Sequence, residues 1–182
     1  MTLCEQMLAE IQTEFPRFRL VPKQGDRLSH LIAWLLRVVT LGGQRSYLEK
    51  YHTVLGWTLY LPNAWTSASD VERAIVLRHE RIHLRQQRRY GRLLMAFLYL
   101  VPFFPVGLAY GRARLEWEAY EETLRATAEY RGLDAVHDPA LRRQLIARFT
   151  GGDYGYMWPF AGQVNRWLDR SLDALERQCR GR

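Results

Sequence analysis

Apolar residues recur at helical spacing from the start of the chain. Leu3, Met7, Leu8, Ile11 and Phe15 share one face and predict an amphipathic helix over residues 3 to 15, stopped by Pro16. Phe18-Arg19-Leu20-Val21 reads as a short strand, closed by Pro22 and the Gln24-Gly25-Asp26 turn. Helical spacing returns in Leu28, Leu31, Ile32, Leu35, Leu36 and Val39, which predicts a helix over 27–41 ended by Gly42-Gly43. Residues 46–61 are rich in strand formers. Tyr47, Tyr51, Thr53 and Val54 predict one arm of a β-hairpin, Gly56 the turn, Trp57 to Leu61 the second arm and Pro62 its stop.

Ser69 followed three residues later by Glu72 is a capping box. It opens a helix over 70–90, with Gly91 as C-cap and Arg88 and Arg89 in the dipole-favoured last turn. Val71, Ile75, His79, His83 and Gln86 fall along one face of it. Leu93 to Tyr110 has no charged residue, but Pro102, Pro105 and Gly107 interrupt it. A proline inside a helix costs roughly 3 kcal/mol, so two short buried helical pieces with a bend are expected. Helices follow over 112–131, ended by Gly132, and over 139–149, opened by Pro139. A loop of Gly and aromatics, 150–159, leads to a last helix over 160–178. Phe160, Val164, Trp167, Leu168, Leu172 and Leu175 face inward there, and Trp158-Pro159-Phe160 anchors it. The pattern predicts an α+β, predominantly helical fold. A small β-hairpin or sheet precedes the 70–90 helix, further helices pack around it, and residues 1–182 form one domain.

Composition adds constraints. With 48% hydrophobic and 25% charged residues the 182-residue chain has the makings of a full core. Apart from Lys23 and Lys50, every one of the 26 basic residues is Arg, and the formal charge is +7. These Arg residues are scattered, which suits solvated helix faces better than a nucleic-acid footprint. Cys4 and Cys179 alone build neither a disulfide framework nor a thiolate metal site. The N-terminus lacks the basic and apolar regions of a secretory signal, so a cytoplasmic protein is expected, with peripheral membrane contact as the alternative to burial for 93–110.

The chemistry concentrates in His79-Glu80-Arg81-Ile82-His83, an H-E-x-x-H string. On a helix its two histidines lie one turn apart on the same face and can hold one metal ion, with Glu80 close enough to act on a bound water. A catalytic zinc site takes three protein ligands and an open position. His30, His52 and His137 sit at no helpful spacing, whereas Glu116 and Glu118 open the next strong helix. An intervening apolar helical hairpin would bring that helix back alongside the first. These two carboxylates are about 200° apart round a helix, so only one can face the metal.

The string, with the downstream Glu116-Trp117-Glu118-Ala119-Tyr120, resembles the gluzincin type of zincin metallopeptidase, whose families carry a downstream E-x-x-A-D. The resemblance covers roughly residues 50 to 125. It implies one Zn2+ held by His79, His83 and Glu116, with Glu80 as the catalytic base that activates water against a peptide bond. Tyr120 replaces the family's Asp, so Glu121 or Glu118 would have to orient a histidine. It further implies that Thr58 to Leu61 is an edge strand above the cleft, pairing with an extended peptide. Arg89 stands where the longer His motif of metzincins and related DNA-repair proteases has a third histidine. Tyr154, Tyr156 and His137 are candidates to stabilise the oxyanion. Two other classes compete with a peptidase acting on peptide or protein substrates: a metal-binding module without turnover, and a basic nucleic-acid or membrane-surface binder.

Overall fold

The computed structural model describes residues 1–23, 52–100, 108–151 and 157–180. The helix expected over 27–41, the start of the hairpin at Tyr47 and Tyr51, His30, Tyr154 and Tyr156 lie outside the described residues. The rest is predominantly helical with one three-stranded sheet, an α+β arrangement. It divides into two compact units, Met1–Arg85 and Gln86–Arg182.

In the first unit, α1 (Leu3–Glu14) opens with a capping box between Thr2 and Glu5. The strands are β1 (Arg19–Pro22), β2 (Thr53–Leu55) and β3 (Thr58–Leu61). Thr53 pairs with Tyr60 and Leu55 with Thr58, leaving a two-residue turn at Gly56-Trp57 with Gly56 at φ +59°. That positive φ is the glycine conformation that matches hairpin twist. β1 runs parallel to β3, from Arg19 opposite Thr58 to Pro22 opposite Leu61. The sheet order β1-β3-β2 therefore makes Thr58–Leu61 the central strand, not the edge strand that the sequence suggested. The cause is that Arg19–Pro22, distant in sequence, supplies a second neighbour. Alternation along β3 buries Leu59 and Leu61 against Met7, Ile11, Phe15, Phe18, Leu77 and Leu84.

The helix α2 (Asp70–Tyr90) has the expected bounds. Ser69 and Glu72 close the capping box, with Glu72 N–H donating to Ser69 Oγ at 3.2 Å and Ser69 N–H to Glu72 Oε2 at 2.8 Å. Asp70 reaches back to α1, accepting from Leu3 N–H at 2.9 Å and Cys4 N–H at 3.3 Å. At the far end of α1, Glu14 takes Arg81 at 2.7 Å and Arg85 through two bonds of 2.8 Å, while Glu10 takes Arg81 at 2.8 Å. These arginines are thus helix-pairing residues, where the sequence alone suggested a solvated face.

The second unit takes the last turn of α2 and, past Gly91 at φ +81°, continues into α3 (Arg92–Leu100). It is completed by α4 (Leu108–Arg131), α5 (Leu133–Val136), α6 (Pro139–Thr150) and α7 (Ala161–Arg180). Its core joins Trp117, Tyr120 and Leu124 of α4 to Leu145 and Phe149 of α6 and to Val164, Trp167, Leu168, Leu172 and Leu175 of α7. Two expectations fail here. Phe160 is half exposed rather than inward, and α3 turns Leu93, Leu94 and Phe97 outward while burying Met95. Phe160 precedes the helix whose face it was assigned to. In α3 one flank is enough for Met95 and Leu98, and a second apolar stripe is left over.

The Glu14 bonds hold its carboxyl down at about pKa 2, the Arg85 hydrogen bond contributing most and Arg81 next. A depressed carboxyl stabilises the fold above its unfolded pKa and loses that contribution as pH falls through the folded one. Glu14→Gln is expected to cost about 1 kcal/mol at pH 7 after allowance for solvent screening. The difference from wild type should shrink between pH 4.5 and 2, as read by urea unfolding across that range.

Candidate metal centre

The α2 helix places His79 and His83 one turn apart, with ring centroids 4.9 Å apart and rings edge to face. Their Nε2 atoms stand 3.2 Å from each other. Two nitrogens bound to zinc at its usual bond length, on neighbouring corners of a tetrahedron, are separated by about 3.3 Å. The pair is thus spaced for joint coordination, as well as for a tautomer-dependent N–H···N contact.

The sequence left Glu116 and Glu118 to be separated by a resemblance, and in the structure the two have different contacts. One ligand atom from each of His79, His83 and Glu116 lies within 4.8 Å of the other two. Glu118 is engaged elsewhere: Gln86 Nε2 donates to Glu118 Oε2 at 2.9 Å and to the Leu115 carbonyl at 2.9 Å. Gln86 is buried at 3% exposure and lies three residues past His83, on the same face of α2. It ties the end of α2 to α4 within the second unit. Because an amide can donate twice, it also satisfies the carboxylate next door.

Burial grades the site. Glu116 is 5% exposed, His83 8% and Glu80 6%, while His79 is only half-buried and is the most exposed of the four. Two imidazole nitrogens and one carboxylate oxygen are a donor set that suits zinc and leave a fourth corner open. By donor type, and by spacing for the histidine pair, the residues suit such an ion.

One participant escaped the sequence reading altogether. Lys23, at the end of β1, is 1% exposed, and its Nζ donates to Thr53 Oγ1 of β2 at 3.0 Å. Its backbone N–H extends the sheet by bonding the Leu61 carbonyl at 2.9 Å. Burial pulls its ammonium down to about pKa 8, against the opposing attraction of the Glu80 carboxylate. A cation thus lies within electrostatic reach of the glutamate of the motif. Nothing in the spacing of Pro22-Lys23-Gln24 announces this, because a lone lysine after a strand is ordinarily a surface residue. The oxyanion candidate His137 is placed with α7, its Nε2 3.3 Å from Glu176.

A lysine whose folded pKa is lowered carries its full burial cost below that pKa and sheds it as pH rises toward the unfolded value. The window here runs from about 8 to 10.5. Wild type is expected to gain stability relative to Lys23→Met across it, by on the order of 1 to 2 kcal/mol after screening, in paired denaturant titrations. A flat difference would show that Lys23 is not a buried cation. No family model, curated protein or solved structure matches the chain, and the functional reading rests on these residues.

Proposed function

We propose that the protein is a zinc-dependent metallopeptidase with His79, His83 and Glu116 as ligands and Glu80 as general base. The observation that carries the reading is the grouping of these three ligand atoms within 4.8 Å. A zinc ion held there would supply Lewis-acid polarisation and lower the pKa of a water toward neutrality. Glu80, next to His79 and almost fully buried, is the group to take the water's proton during attack on a carbonyl and pass it to the leaving amine. The Lys23 ammonium, within electrostatic reach of Glu80, is suited to stabilising negative charge that develops on the carbonyl oxygen. Gln86 donates to Glu118, the carboxylate that this reading leaves out of the ligand set.

A second reading has an observation of its own. Zincin peptidases hold an extended substrate along an edge strand, whereas Thr58–Leu61 is paired on both sides, by β1 and β2. That favours a metal-binding protein of related plan with no peptide turnover.

Elemental analysis of purified wild type should give about one zinc per chain, retained in Glu118→Gln and Glu80→Gln and lost in His79→Ala and Glu116→Ala. Against a peptide library, Glu80→Gln should lower cleavage by roughly 10²-fold or more with its zinc intact. Zinc retained without Glu116 would sink the ligand assignment. Stoichiometric zinc with no cleavage of any peptide by wild type would establish the second reading.

A further inference from the structure

The helix α3 is apolar on more than one side. Met95 is buried, and Leu98 lies against α4, its Cδ2 3.2 Å from where a side chain at Gly111 would begin. The other stripe is left to solvent: Leu93 is 90% exposed, Leu94 45% and Phe97 51%. Positions 93 and 97 are one turn apart, so their side chains form a continuous ridge. After Arg92 no residue of Arg92–Leu100 is charged.

Along the chain around α3 the charges are of one sign. Between Glu80 and Glu116 there is no acidic residue, while arginine occurs at positions 81, 85, 88, 89, 92, 112 and 114. Exposed Arg88 and Arg89 close α2 immediately before the Gly91 bend into α3, and the Arg89 guanidinium lies 5.1 Å from the centre of the Tyr90 ring. An aromatic group follows α3 in the same unit: Tyr110 and Phe160, both exposed, pack on Trp158 with centroids 5.1 Å away in each case.

We infer that the Leu93–Leu94–Phe97 face of α3, with Arg88 and Arg89 at its rim, docks the protein on an anionic phospholipid surface. Apolar side chains enter the headgroup boundary while arginines meet the lipid charge. A nine-residue helix is about 14 Å long, less than half the hydrocarbon thickness, so it lies in the interface and does not span it. Among the described residues no helix is long and apolar enough to cross a membrane. A second copy suits the ridge less well, because its own Arg88 and Arg89 would meet like charge. The inference draws on no property of the metal centre.

The test is co-sedimentation of the full chain with vesicles of phosphatidylcholine alone or with about 30% phosphatidylserine, at physiological salt. Binding is expected to be at least tenfold stronger on the anionic vesicles. It should fall at least tenfold in Leu93→Glu/Phe97→Glu and in Arg88→Glu/Arg89→Glu, both with unchanged circular dichroism. Equal partitioning onto the two vesicle types, or wild-type binding by the Leu93→Glu/Phe97→Glu variant, would overturn the proposal. So would a wild-type dimer in sedimentation velocity that the same variant converts to monomer, since the ridge would then be a self-association surface.

Discussion

The molecule depends on a single uninterrupted helix serving opposite faces at once. In α2, His79 and His83 form one stripe and Arg81 and Arg85 another, offset by two residues and therefore about 200° away. The arginine stripe is tied to Glu10 and Glu14 of α1, and the helix start is tied to α1 again through Asp70. Leu77 and Leu84, both wholly buried, pack into the first unit's core. With its other sides committed in this way, the helix has little rotational freedom left. The histidine stripe is consequently presented in one orientation.

That fixed orientation is what makes the polar burial tolerable. Glu80, His83, Gln86 and Glu116 are all under 9% exposed, and buried polar groups are costly unless partnered. Gln86 satisfies Glu118, the two imidazoles face each other, and Lys23 offsets part of the charge on Glu80. A metal ion would complete this set by drawing two imidazoles and a carboxylate into one coordination shell.

Much of this was legible in the chain. The bounds of α2 followed from a capping box at one end and a glycine at the other, two local signals that depend on neighbouring residues only. The buried stripe of α7, from Val164 to Leu175, followed from the helical repeat in the same way. The hairpin turn at Gly56 was local too, and it was read correctly. Apart from Phe160, which lies just before its helix, what failed involved partners distant in sequence. The pairing of Arg19–Pro22 with Thr58–Leu61 turned an expected edge into a centre. Hydrophobic spacing in Leu93 to Leu100 could not reveal which apolar stripe would be covered.

The sequence by itself therefore determined that a capped helix carries two histidines and a glutamate at metal-binding spacing, because a helix fixes the relation of i to i+4 whatever surrounds it. It also narrowed the third carboxylate to two residues. The tertiary structure engages Glu118 with Gln86 and places a Glu116 oxygen in the group with the histidine nitrogens. It alone buried Lys23 near Glu80, and it alone bound Arg81 and Arg85 to α1. The reason is common to all three. Hydrogen bonds and charge pairs between residues tens of positions apart leave no periodic trace in the chain, and exist only once the backbone has brought their partners within reach.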